Sequence, residues 1–214
     1  MPDPVADLLA RAVRGEHPPE DGCTEVLPQP PGPVAAILAF AAHHVVAADV
    51  DPAWVRARLP DGDLSAPVGP AFVAALAAEL GRTFDNLDLV LVSPGVGGSP
   101  PLDLRTLDHA GHPRVARARR YRSDVRALET PDGAGLVIVG RGLARRWELA
   151  FEVEPAARGR GLGRALVTAG RHLVPPGEPV FVQVAPGNVP SLRAVLAAGG
   201  FTPIGGEILF ARPA

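Results

Sequence analysis

Trp147-Glu148-Leu149-Ala150-Phe151-Glu152-Val153, followed by Arg158-Gly159-Arg160-Gly161-Leu162-Gly163-Arg164, decides the reading of this chain. The first run alternates apolar and polar residues, the period of a strand. From the second run onward Leu162, Leu166, Ala169 and Leu173 recur at spacings of four and three, the period of a helix. A strand that passes through glycines and arginines into a helix builds an anion site. The first amides of a helix have no partner of their own, and the positive end of the dipole lies among them. Glycines let the backbone close on a bulky phosphate, and arginines add charge-assisted hydrogen bonds.

Two common phosphate patterns are excluded. A P-loop needs a lysine after its last glycine, and the chain contains no lysine. The dinucleotide fingerprint Gly-x-Gly-x-x-Gly fails because the glycines fall at 159, 161 and 163. Arg-x-x-Gly-x-Gly fits, on Arg158, Gly161 and Gly163. A second segment follows the apolar run Val180-Phe181-Val182-Gln183-Val184-Ala185, which reads as a strand. It is Asn188-Val189-Pro190-Ser191-Leu192-Arg193, with Gly200-Phe201 beyond. Asn188 is a favoured N-cap, Pro190 suits a first turn, and Leu192, Val195 and Leu196 make an apolar stripe. Gly199-Gly200 closes the helix.

In this order the two segments resemble the acyl-coenzyme A loop and the Asn-x-x-Ser-x-Arg…Gly-Phe helix of the GNAT family of N-acetyltransferases, over the C-terminal half of the chain. The resemblance implies an α/β fold with a mixed, mostly antiparallel sheet flanked by helices. It implies acetyl transfer from acetyl-coenzyme A to an amine by direct attack. Phe151, Val153, Arg158, Gly159, Arg160, Gly161, Leu162, Gly163, Arg164, Asn188 and Ser191 would then bind the cosubstrate. An amide near Phe151 and Val153 would polarise the thioester carbonyl. Glu148 and Glu152 share one strand face and are the candidate bases, against the alternative of a plain solvated face. The family often places a tyrosine acid four residues after the position of Ser191; here that residue is Val195, and the only tyrosine is Tyr121. Ser191 or water would substitute, or the thiolate, with a thiol pKa of about 8.5, would leave unassisted. The acceptor is open: a small amine, an antibiotic, an amino acid or a protein N-terminus. The alternative is a non-catalytic coenzyme A sensor or docking module, and a homodimer is left open.

Composition narrows the rest. The chain has 214 residues, 47% of them hydrophobic, which suffices for one large domain or two small ones. A net charge of −2 gives no bulk case for nucleic acid. One cysteine, Cys23, excludes an internal disulfide and a cysteine-rich zinc site. No apolar run suits a membrane span, and the acidic, proline-containing start does not read as a secretory signal, so a cytoplasmic location is expected.

The Pro94–Pro101 stretch reads as a boundary, giving an N-terminal α/β extension over 1–98 and the acetyltransferase-like domain over 99–214. The N-terminal half is open to reading as a degenerate copy of the same fold, and as a wall of the acceptor pocket. Near the C-terminus two strands, Phe201–Pro203 and Glu207–Phe210, are expected on either side of Gly205-Gly206. Arg114, Arg117, Arg119, Arg120, Arg122 and Arg126 form a basic segment. It reads as a solvated helix face, or as a contact for phosphate, an acidic substrate or nucleic acid. His109 and His112, near Asp103 and Asp108, have a spacing that suits a metal, but nothing else completes a site, and no metal is expected.

Overall fold

The computed structural model describes residues 3–107 and 111–213, so Asp108 and His109 lie outside the described residues. In chain order the elements are α1 (Pro4–Val13), β1 (Thr24–Leu27), β2 (Val34–Phe40), β3 (His43–Ala47), α2 (Pro52–Arg56), α3 (Pro70–Leu80), β4 (Thr83–Phe84) and β5 (Asp88–Pro94). There follow β6 (Arg105–Thr106), α4 (Pro113–Tyr121), β7 (Ser123–Glu129), β8 (Gly135–Arg141), β9 (Trp147–Val153) and α5 (Leu162–His172). The last elements are β10 (Pro179–Val184), α6 (Val189–Ala197) and β11 (Thr202–Ala211). The class is mixed α/β and most strand pairs are antiparallel, as expected.

The chain divides into two compact units. The first holds residues 1–89, 143–145 and 204–214; the second holds 90–142 and 146–203. The expected division at 98/99 compares with 89/90 here, and the C-terminal strand groups with the N-terminal residues. In the first unit the strand order is β1-β3-β2-β11, with β4 also on β11. Its core gathers Ile37, Val46, Phe72, Leu76 and Phe210. The two C-terminal strands expected from the sequence are one, β11. Gly205 and Gly206 do not turn there. Gly205 has φ +159°, which is extended, and a Cβ on it would meet the Ala39 carbonyl oxygen at 2.7 Å. The glycine is needed for close approach to β2, and a break in pairing is what its letter alone suggests.

In the second unit the strand order is β5-β10-β9-β8-β7-β6. β7, β8 and β9 form an antiparallel meander, and β10 returns parallel to β9 after α5. The two faces of the meander are covered differently. α4 brings Val115 and Ala118 onto Ala127, Leu136, Ile138 and Ala150. α5 packs on the other face, its Gly170 pressed against Leu149 and Val137. Strand alternation therefore turns Glu148, Ala150 and Glu152 toward α4, and Leu149, Phe151 and Val153 toward α5. Among the described residues no helix is long and apolar enough to cross a membrane.

Candidate functional site

β9 is closed at one end and open at the other. Its register with β10 runs over Val180↔Trp147 and Phe181↔Glu148 and stops there. Beyond those pairs the two strands part. On its other edge β9 stays paired with β8 through Gly135↔Val153. The Glu154 amide donates to the Ala134 carbonyl at 2.9 Å, which fixes the phase of that ladder. In an antiparallel ladder the residues whose amides point to the partner alternate, so Leu149, Phe151 and Val153 present N–H and C=O to the side where β10 has parted.

At the end of this open edge lies the 158–164 turn. Gly159 has φ +77° and Gly161 φ +85°, backbone that other residues rarely adopt. Gly161 is the N-cap of the 11-residue helix α5, and no side chain caps it. The amides of the first turn, at Leu162, Gly163 and Arg164, are therefore left for something else. Gly163 allows that turn to sit low: a Cβ there would lie 3.3 Å from Ala194 of α6 and 3.4 Å from the Phe151 ring. The turn, the open edge of β9 and Ala194 of α6 thus lie together.

Two arginines already use the open edge. Arg158 Nε donates to the Val153 carbonyl at 3.0 Å, and Arg114 Nη2 donates to the Phe151 carbonyl at 3.3 Å. Arg158 therefore lies along the strand rather than pointing out from the turn. Arg114 is also 3.7 Å from Glu152. Burial lowers the pKa of its guanidinium and Glu152 opposes that. The basic segment is accordingly not a plain solvated face: Arg114 and Arg122 are bound to β9 and its surroundings, while Arg117 and Arg119 are exposed.

Glu148 departs most from expectation. It is fully buried, not solvated. Arg122 Nε donates to Oε2 at 2.8 Å and Arg146 Nε to Oε1 at 2.9 Å. Its carboxyl group lies where a Cβ on Gly142 would have to go, so only glycine fits at 142. Burial alone would push the carboxyl pKa up; Arg146 and Arg122 outweigh it and hold the group below the usual carboxylate range. A buried, firmly ionised carboxylate shared by two guanidiniums is a poor proton acceptor for an incoming amine. The structure makes Glu148 an anchor and leaves Glu152 as the carboxylate of the pair with access to solvent.

Glu152 borders a depression at the end of the β7–β8 hairpin, where Glu129, Glu154 and His112 also line the wall. Arg105 pairs with Glu129 at 2.9 Å. Asn188 spends its side-chain oxygen on the Ser191 amide at 3.3 Å, capping α6 as expected. Ser191 sits in that first turn and is partly exposed. Of the apolar stripe expected on α6, Val195 is buried but Leu196 is 48% exposed, because α6 is covered on one narrow side only. Tyr121 is buried under Arg117 and Arg120 at the end of α4. No group of three or more potential metal ligands converges among the described residues.

Sequence reasoning missed Gln183 and the two partners of Glu148. Arg122 Nη2 donates to Gln183 Oε1 at 3.3 Å, across the place where β9 and β10 separate. Arg146 is two residues from Glu148, but no local pattern brings Arg122 and Gln183 to them; only the folded sheet does.

No protein-family model and no curated protein matches the chain. Solved structures do. A GCN5-related N-acetyltransferase from Kribbella flavida is 17% identical, with 66% of this chain and 64% of that one covered and a TM-score of 0.42. An acetyltransferase from the GNAT family from Colwellia psychrerythraea is 14% identical, covering 67% and 63%, with a TM-score of 0.40. A GCN5-related N-acetyltransferase from Sphaerobacter thermophilus is 17% identical, covering 66% and 56%, with a TM-score of 0.39. The chain spans less than two thirds of the length of each of the three. The functional reading therefore stands on the geometry of β9, β10 and the 158–164 turn.

Proposed function

We propose that the chain is an acyltransferase that moves an acetyl group from acetyl-coenzyme A to an amine. The observation that carries this reading is the coincidence of two features on one strand. β9 parts from β10 after Glu148, and the same strand feeds a glycine turn into an uncapped helix. The first offers unpaired backbone amides to a chain-like amide ligand; the second offers helix-end amides to a pyrophosphate. A pantetheine arm with a pyrophosphate at its far end has both chemistries in that order.

The fit requires a rearrangement. The carbonyls of Phe151 and Val153 must be released by Arg114 and Arg158 before pantetheine amides can take them. Arg158, once released, stands beside the turn and is free to pair with phosphate, and Arg160 and Arg164 are exposed next to it. The Phe151 amide, on the same edge, serves as donor to the thioester oxygen.

In the transfer the amine nitrogen bonds to the thioester carbonyl carbon and the carbon–sulfur bond breaks. The amine loses a proton to Glu152, directly or through water, and the thiolate leaves, to be protonated by solvent or by Ser191. The depression lined by Glu129, Glu152 and Glu154 favours a cationic amine at this end of the strand. Holding the amine against the thioester supplies most of the rate gain.

Thiol release from acetyl-coenzyme A, measured with a panel of amines, tests the reading. Release that depends on a particular amine supports it. Tight binding of coenzyme A without release by any amine in a wide panel would replace it with a sensing role.

A further inference from the structure

Gln183 lies two residues beyond Phe181, the last residue of β10 in register with β9. Had the parallel register continued, it would stand opposite Ala150, between the closed end at Glu148 and the unpaired amide of Phe151. Alternation puts its side chain on the face of Phe181, where the Arg146 guanidinium lies 4.8 Å above the ring centre.

The amide of Gln183 is oriented by its neighbour. Arg122 Nη2 donates to Oε1, and a guanidinium has no acceptor, so the oxygen must face Arg122 and the nitrogen must face away. Arg122 is itself fixed, 10% exposed and bonded through Nε to Glu148. Gln183 Nε2 is thus held in one direction, is buried, and has no hydrogen-bond partner. A buried donor left unmet is costly, and such groups call for a specific reason.

We propose that Gln183 Nε2 donates a hydrogen bond to the carbonyl oxygen of the acyl thioester between β9 and β10, a proposal that rests on the coenzyme A reading above. The ligand oxygen that enters between the strands meets the donor out of water, where a hydrogen bond counts for more. When the amine nitrogen bonds to the carbonyl carbon, the π pair moves onto that oxygen and Nε2–H stabilises the charge. When the pair returns, the carbon–sulfur bond breaks and the electrons leave with sulfur. Gln183 gives up no proton in either step. Arg122, Glu148 and Arg146 are positioning residues: they hold the amide and do not touch the thioester.

Isotope-edited infrared spectroscopy of bound acetyl-coenzyme A labelled with carbon-13 at the carbonyl tests this without knowledge of the acceptor. In the native protein the bound carbonyl stretch is expected below its free value. Gln183→Glu keeps an oxygen for Arg122 and removes the donor; Gln183→Met removes the amide and keeps the length. Both variants should return the stretch toward its free value. They should also weaken acetyl-coenzyme A about three- to tenfold relative to coenzyme A, which lacks the acyl oxygen. If the native protein binds neither ligand, the coenzyme A reading fails and this proposal with it. If the native protein binds both and the stretch is the same in native and variant proteins, Gln183 alone is ruled out and the coenzyme A site stands. Circular dichroism of the variants guards against misfolding, and the Gln183→Met protein serves if Gln183→Glu does not fold.

Discussion

The two halves of β9 make opposite use of the same kind of residue. Glu148 and Glu152 lie on one face of one strand, four residues apart. At the Glu148 end β10 is still paired, Arg146 and Arg122 close over the carboxylate, and water is excluded. At the Glu152 end β10 has parted, Arg114 lies 3.7 Å away, and the side chain meets solvent. Whether a neighbouring strand is present, rather than the residue type, decides which carboxylate is buried in an ion cluster and which meets solvent.

The largest expected effect breaks the closed half. Glu148→Ala removes a carboxylate that two buried guanidiniums share, and breaking a buried pair by removing one partner costs about 3–5 kcal/mol. Urea unfolding should show that loss; a loss below about 1 kcal/mol would mean the ion cluster is not buried in solution. The same group sets a pH dependence. Its folded pKa is depressed, so its stabilising contribution is complete above the unfolded carboxyl value of about 4.3 and is lost as pH falls through the folded value. The native protein should lose stability steeply on acidification below about pH 4, and Glu148→Gln should flatten that slope.

The next effect breaks the open half. Gly161→Asp puts a non-glycine residue at φ +85° and a negative charge at the helix end. Titration with acetyl-coenzyme A should show affinity lower by at least tenfold, about 1.4 kcal/mol. Unchanged affinity would place the pyrophosphate elsewhere. Asn188→Ala separates capping from ligand contact. Stability should fall by about 1 kcal/mol with acetyl-coenzyme A affinity unchanged, since the side-chain oxygen is spent on the Ser191 amide. A fall in affinity without a fall in stability would return Asn188 to the ligand site. The smallest effect sharpens the comparison. Arg114→Ala frees the Phe151 carbonyl, so coenzyme A should bind about two- to fivefold tighter, the worth of one weak hydrogen bond no longer broken on binding. Weaker binding would show that Arg114 holds the ligand instead of yielding to it.

Much of this geometry was legible as letters because it is local. β9 begins and ends at Trp147 and Val153 because its alternation stops at Glu154-Pro155. α6 starts after Asn188 because a side-chain oxygen and a proline mark the spot. The glycine turn was visible because its backbone needs glycine at 161 whatever lies around it. What was hidden depends on residues far apart in the chain. Arg122 reaches Glu148 across 26 positions and Gln183 across 61. Gly205-Gly206 read as a turn because two glycines permit one; pairing with β2 from Gly206 onward carries β11 straight through, and the Ala39 carbonyl is the reason 205 is glycine. Leu196 read as part of an apolar stripe, and it is exposed because helical spacing says which residues share a face, not whether anything covers it.

The most direct measurement is a nitrogen-15 amide spectrum of the native protein titrated with coenzyme A. Saturable shifts are expected at the Gly161, Leu162, Gly163 and Arg164 amides, together with those of Phe151 and Val153 on the open edge. Saturable binding that leaves these amides unmoved, or no binding at millimolar ligand, would contradict the assignment of the 158–164 turn.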